Sequence, residues 1–519
     1  NERRNTVTRP IAPVRPRAVV IGAGMGGLST ALRLAHAGCQ VTVFDAMPHV
    51  GGKMRQVPSA AGPIDAGPTV VTMRHVFDEL FQTLGLRLED HVTLTQDDIL
   101  ARHFWPDGSE LDFHANLEET LTAIDRFSGS KARGEFLKFH QDTAALFSAF
   151  EGPMMLRAHP RQTDLTLTVL KSPHLLRAMA PHQTLAQAVF KRFSDPRLAQ
   201  VFARYSTYVG GNPYLSPALL SLIWQSEAAG VWRVKGGVHQ LARAMQNIGQ
   251  SMGIEFQLGQ SIEAITKDAD HVTGVTLSDG RHVAADIVVF NGDPRAIHIG
   301  LLGQDHAPRV TRAQVEPRSL SAYVWSFASR AWGKTLAHHN VFFGDDQRSE
   351  FDPIENGALP RDPTLYICAQ DSGLNSNTDT ALQRFEIIMN GAPTEAPTER
   401  EVAACRHLTF QTLADRGLIF PDPIPDSALM TPQDFATMFP ASRGSLYGLS
   451  PHGMTAALKR PRARTSLKGL YLAGGGTHPG AGIPMACLSG RHAAEAILTD
   501  HALTLPSRPT AMRGGISTA

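Results

Sequence analysis

The glycine-rich stretch Gly22-Ala23-Gly24-Met25-Gly26-Gly27 constrains the fold more than any other part of the chain. Residues 18–22 (Ala-Val-Val-Ile-Gly) read as a buried parallel strand, because the run is short, apolar and closed by glycine. Residues 26–37 follow with Leu28, Ala31, Leu32 and Ala35 at helical spacing and end near Gly38, a plausible cap. Residues 40–45 (Gln-Val-Thr-Val-Phe-Asp) are a second strand, so the unit is strand–helix–strand with a right-handed crossover. In such a unit Gly22 makes the tight turn, Gly24 lets backbone amides approach a pyrophosphate, and Gly27 permits close helix–strand packing. The helix N-terminus adds partial positive charge. Asp45 ends the second strand, where a carboxylate bonds an adenosine ribose hydroxyl. Taken alone, these residues imply a bound dinucleotide and do not choose between a nicotinamide and a flavin.

At 519 residues the chain has room for two or three co-folded domains. Its 42% hydrophobic and 19% charged residues are ordinary for a globular protein, and a net charge of +1 argues against a nucleic-acid partner. Cys39, Cys368, Cys405 and Cys487 have no paired spacing, which suggests neither a metal site nor a disulfide framework and fits a reducing cytosol. No apolar run approaches the roughly 18–20 residues of a membrane-spanning helix. Residues 1–16, rich in Arg and Pro, read as a basic disordered tail, and 501–519 as a flexible one.

Two further blocks carry strand and helix patterns. From Gly236 a helix to about Gly253 leads into strands at 254–258 and 261–265. A hairpin turning at Ser278-Asp279-Gly280 and a buried strand at 285–290 complete that block. Residues 469–474 form another strand and 485–498 another helix. The expected architecture is α/β: a Rossmann-like domain assembled from three chain segments, 17–115, 236–300 and 456–500. Residues 116–235 would form a helical cap, and 301–455 an inserted α+β substrate-binding lobe.

Gly51-Gly52-Lys53 and Asp65-Ala66-Gly67-Pro68-Thr69 resemble the flavin-binding extension of the large FAD family that contains amine oxidases, protoporphyrinogen oxidase and carotenoid desaturases. In that family the residue at Lys53 lies beside the diphosphate. The stretch from Leu470 to Met485 resembles the C-terminal signature of bacterial phytoene-desaturase-type carotenoid desaturases. Its glycines Gly474, Gly475 and Gly476 let backbone meet FAD without a side-chain clash. Gly482, Ile483, Pro484 and Met485 then open a helix whose amides can face the flavin pyrimidine. The resemblance runs from Arg17 to Leu498 and includes Gly230–Gly237 and Asp286–Pro294. Within the family, Pro363–Asp371 and Pro484–Arg491 are similar to the 1-hydroxycarotenoid 3,4-desaturases (hydroxy- or methoxyneurosporene desaturases) of purple photosynthetic bacteria.

This resemblance implies an FAD-dependent oxidoreductase acting on CH–CH groups. The expected reaction is C-3,4 desaturation of 1-hydroxycarotenoids of the hydroxyneurosporene or rhodopin type, as in spheroidene and spirilloxanthin biosynthesis. Phytoene desaturation, another carotenoid oxidation, and a non-catalytic lipid-binding chaperone on the same fold are the alternatives. An acyclic carotenoid needs a long apolar tunnel. His478 lies inside the flavin motif and is a candidate catalytic residue, with a packing role as the competing reading. Asp65 is a candidate for assisting proton removal, with turn capping as its alternative. Tyr205 and Tyr208 either line the tunnel or belong to the core. No second glycine fingerprint follows another strand, so electrons are expected to pass to a quinone or oxygen. Residues 153–205 carry eight Lys/Arg against two Asp among many apolar residues. They are either a peripheral membrane contact or a cap with a solvated basic face. The expected location is cytoplasmic, on the surface of the inner or intracytoplasmic membrane.

Overall fold

A computed structural model describes residues 15–170, 172–373, 381–396 and 399–503. The two expected tails lie almost wholly outside the described residues. A five-stranded parallel sheet has the order Leu470–Leu472, Ile287–Phe290, Arg17–Ile21, Gln40–Asp45, Glu255–Leu258. Its strands come from three distant stretches of chain, as the apolar runs predict. Val20 sits in register with Val43 on one side and Val289 on the other, and all three are inaccessible to solvent. The central strands Arg17–Ile21 and Ile287–Phe290 are near-continuously apolar because both their faces are covered, whereas the edge strand Glu255–Leu258 alternates polar and apolar residues.

Helices Met25–His36 and Ile483–Asp500 pack against each other beside this sheet. They approach closely because Gly26 meets Gly490; a methyl group on Gly490 would lie 2.4 Å from the Gly26 carbonyl oxygen. The Ser29 hydroxyl crosses the same contact to donate to the Cys487 carbonyl at 2.9 Å. The helix expected from 485 begins two residues earlier, at Ile483.

A mixed seven-stranded sheet forms the second layer, in the order Leu429–Met430, Ser321–Ser329, Gln383–Gly391, Leu365–Ala369, His339–Phe342, Ile99–Phe104, Glu110–His114. Here the sequence reading needs correction. The expected nucleotide-binding segment 17–115 includes strands 99–104 and 110–114, which instead extend this larger sheet: 99–104 pairs in parallel with His339–Phe342 and antiparallel with 110–114. Nothing local in an apolar hairpin says which of two sheets it will join. Helices from Leu117 to Ala228 cover the 99–114 hairpin, burying Phe113, Phe136, Phe202 and Trp224 in one aromatic cluster. The longest helix, Leu117–Phe150, is broken at Gly129.

Candidate active site

Three glycine loops converge at the C-terminal ends of the parallel strands. Gly51 donates its N–H to the Ala23 carbonyl at 2.9 Å, so the second loop lies directly on the first. Gly27 is held so close to the strand that a Cβ there would stand 2.0 Å from the Gly22 carbonyl oxygen. A Cβ on Gly26 would lie 2.6 Å from the Gly474 nitrogen, which seats the third loop beside the helix N-terminus. Asp45 braces this assembly: its carboxylate accepts from Ala23 N–H at 2.7 Å and Met47 N–H at 2.8 Å. The residue expected to meet a ribose therefore also fixes the turn.

Asn291, which the sequence marks only as part of the Asp286–Pro294 stretch, links the loops. Its Nδ2 donates to the Gly22 carbonyl at 3.1 Å, while its Oδ1 is buried without a partner between Gly26 and Gly474. Lys53 points inward, donating to the Leu446 carbonyl at 2.5 Å. Burial lowers its ammonium to about 8, with Arg318 and Arg460 lowering it further and Asp293 opposing them. Arg460 donates to the carbonyls of Gly475, Tyr447 and Leu449 at 2.9–3.0 Å, and burial lowers it to about 10. Arg318 pairs with Asp293. Three cations against one carboxylate leave a buried excess of positive charge beside glycine loops, an environment suited to a diphosphate.

The Gly482–Met485 turn opens onto a cavity of about 390 Å³. Its wall is largely apolar, with Met73, Phe150, Met154, Leu219, Leu222 and Ile223 among the lining residues. Gly67, Pro68 and Thr69 line it too, which brings the Asp65–Thr69 motif and the C-terminal motif to one chamber. Thr69 and His339 both bond the Tyr366 hydroxyl, at 2.9 and 2.7 Å, forming a polar edge on that chamber. Behind it, His338, His339 and Cys368 place ligand-type atoms within 4.8 Å of one another, a grouping the cysteine spacing did not foreshadow. Burial and nearby Arg233 press both imidazoles toward the neutral form, His339 to about 3.

The two candidate catalytic residues meet different fates. His478 lines the cavity, but its Nε2 donates to the Arg157 carbonyl at 2.8 Å and its ring stacks on His492. Burial lowers it to about 4, so near neutral pH it is an uncharged strut between the flavin motif and the cap. Asp65 is not among the cavity-lining residues. Its oxygens accept from Val238 N–H at 2.6 Å and Gln56 Nε2 at 2.9 Å, anchoring the Gly236–Gly237 turn, and burial raises its carboxyl. Tyr205 and Tyr208 also divide: Tyr205 is buried in the aromatic core, whereas Tyr208 reaches the cavity.

The glycine loops and buried cations fit a dinucleotide, and the apolar chamber adjoins the place where its far end would lie. The sequence profile described as "Flavin containing amine oxidoreductase" matches residues 25–498. The chain belongs to that family, and a flavin is the cofactor the family implies. Among curated relatives, the "Hydroxyneurosporene desaturase" of Cereibacter sphaeroides is 51% identical over 93% of this chain and 98% of its own length. The protein of that description from Rhodobacter capsulatus is 47% identical over 93% and 97%. A "4,4'-diapolycopene oxygenase" from Methylomonas is 30% identical over 93% and 98%. An oxidoreductase from Methanosarcina mazei superposes with a TM-score of 0.61 at 15% identity, covering 92% of this chain and 100% of the other; it is similar in fold.

Proposed function

We propose that this protein is an FAD-dependent carotenoid desaturase that introduces the C-3,4 double bond into acyclic 1-hydroxycarotenoids of the hydroxyneurosporene and rhodopin type. The observation that carries this reading is the opening of an apolar chamber directly onto the Gly482–Met485 turn. The similarity to desaturases over nearly the full length of both chains supports the same choice. Bound FAD supplies the redox chemistry: a hydride leaves an allylic carbon and a proton leaves its neighbour. The chain's own residues hold that cofactor and exclude water. Gly22, Gly24, Gly27, Gly51 and Gly52 admit the diphosphate, with Lys53, Arg318 and Arg460 balancing its charge. Gly475, Gly476 and the helix N-terminus at Ile483 and Met485 receive the flavin end, Pro484 fixing the first turn without an N–H.

The reading extends to organisation and location. Segments 17–115, 236–300 and 456–500 would serve the cofactor, with the 99–114 hairpin shared with the substrate lobe at 301–455. Among the described residues no helix is long and apolar enough to cross a membrane. A peripheral seat on the cytoplasmic membrane surface is supported by the cap. Leu167, Leu170, Leu176 and Phe190 are exposed there. Helices Gln162–Leu170 and Pro173–Met179 pack on the segments 151–155 and 218–223 that contribute to the cavity wall. Charge is the weaker attraction: of the eight basic residues in 153–205, Arg157, Arg192 and Arg197 are ion-paired and Arg204 is buried. Electrons would leave to a quinone or to oxygen.

Supplying the FAD-reconstituted protein separately with 1-hydroxyneurosporene and phytoene tests the reading. A red-shifted polyene absorption is expected from the first substrate alone. Turnover of phytoene would overturn the branch assignment.

A further inference from the structure

Within the apolar chamber lies a buried polar cluster, Arg204, Tyr208 and Glu227. The charged side chains lining the chamber are Arg204, Glu227 and Arg460, and Arg460 is committed to three backbone carbonyls around the flavin loop. Arg204 and Glu227 are more than nine-tenths buried. Glu227 accepts from the Tyr205 hydroxyl at 2.6 Å through one oxygen and from Tyr208 through the other; Arg204 donates to the Tyr208 hydroxyl at 3.2 Å. An ion cluster sunk among leucines and methionines is commonly no more stable than an apolar replacement of equal volume, so its presence calls for another explanation.

The cluster also has unused hydrogen-bonding capacity. Arg204 Nε is buried with no partner. A carboxylate offers about four lone-pair sites, and the two phenols occupy two of them on Glu227. An aliphatic alcohol, with one donor and two acceptors, complements that combination of cation and carboxylate. The cluster and the Thr69–Tyr366 edge line the same chamber. In a 1-hydroxylated polyene the carbon bearing the hydroxyl is two bonds from the C-3,4 pair. The hydroxyl's seat must therefore open on the same chamber as the Gly482–Met485 turn, and Arg204, Tyr208 and Glu227 do.

We propose that Arg204, Tyr208 and Glu227 form the subsite that receives the terminal tertiary hydroxyl of the carotenoid, fixing which end of the polyene enters and which bond is presented. This inference rests on the desaturase reading and names the residues that set its specificity. A buried polar site rejects a ligand lacking the matching group because its own polar atoms are then left unpaired.

The test compares 1-hydroxyneurosporene with neurosporene, its analogue lacking the hydroxyl, in the flavin-loaded protein and the variants Glu227→Gln and Tyr208→Phe. Polyene binding is read by quenching of tryptophan fluorescence and turnover by absorbance, with the flavin spectrum as the control for folding. The wild-type protein should prefer the hydroxylated polyene by on the order of a hundredfold in kcat/KM, the cost of leaving one buried polar group unpaired. Both variants should lose at least about tenfold of that preference, in binding as well as turnover. A purely structural role would weaken both polyenes together, and that result would overturn the subsite, as would a preference unchanged in both variants. Tyr208→Phe removes a single oxygen and keeps the inference testable if Glu227→Gln does not fold. A wild-type protein that turns over neither polyene would instead refute the desaturase reading itself.

Discussion

Around Gly22, Gly51 and Gly474 the chain meets itself backbone to backbone, whereas the chamber beside Tyr208, Leu219 and Met154 is walled by side chains from distant segments. The first region works by what is missing: a single added methyl on Gly27 would collide with the Gly22 carbonyl. The second works by what is present, and its apolar lining tolerates exchanges of similar volume. A cofactor common to many enzymes calls for a fixed backbone cradle. A substrate particular to one branch calls for a wall that can be altered residue by residue.

The comparison breaks most sharply with one methyl group added to the cradle and one leucine trimmed in the chamber wall. Gly27→Ala should force the helix off the strand, cost about 3 kcal/mol of stability and yield protein purified almost free of flavin. Leu222→Ala only enlarges existing space; it should cost about 2 kcal/mol and retain its flavin. Flavin absorbance per protein and thermal melting measure both, and a flavin-replete Gly27→Ala protein would contradict the cradle. A smaller loss is expected from the triple variant Leu167→Ser, Leu170→Ser, Leu176→Ser. Liposome flotation should fall at least about tenfold with the flavin spectrum unchanged, since each Leu buried in lipid contributes roughly 1.5–3 kcal/mol. Unchanged flotation would remove the cap from the membrane.

The mildest effect is on pH. Burial holds the folded Lys53 ammonium at about 8, below its ordinary 10.5. The apoprotein is therefore destabilised by the buried charge below pH 8 and regains stability as pH rises from there through the unfolded value. A diphosphate reverses the preference, because it favours the charged form. FAD affinity should fall as pH rises above 8, by a few-fold per unit, with proton uptake on binding visible by calorimetry in two buffers. Lys53→Met should flatten that dependence; an unchanged pH profile in the variant would place the charge elsewhere.

How much was legible follows the same division. The fingerprint strand, its helix and Asp45 were readable because a glycine turn between apolar runs has few other solutions, and the C-terminal motif because its glycines recur at fixed spacing. Asn291 was harder to see: its role depends on Gly22 and Gly474, which are remote in sequence. Asp65 and His478 stand in motifs as candidate catalytic residues, with turn capping and packing as the competing readings. Their hydrogen bonds to Val238 and Arg157, which make them struts, are tertiary facts. Arg204 and Glu227 carried no local signal, because an arginine and a glutamate in helical segments usually face water. The 99–114 hairpin falls within the 17–115 segment, and only its tertiary pairing with His339–Phe342 shows which sheet it extends.

Relatives of this chain are described both as desaturases and as oxygenases, so the mass of the product is the most direct test of the central claim. Product formed anaerobically from 1-hydroxyneurosporene by the flavin-loaded protein should be lighter by two hydrogens, with one new conjugated double bond per flavin bleached. No product without oxygen together with one heavier by an oxygen atom in air, or a product formed without flavin bleaching, would contradict the account.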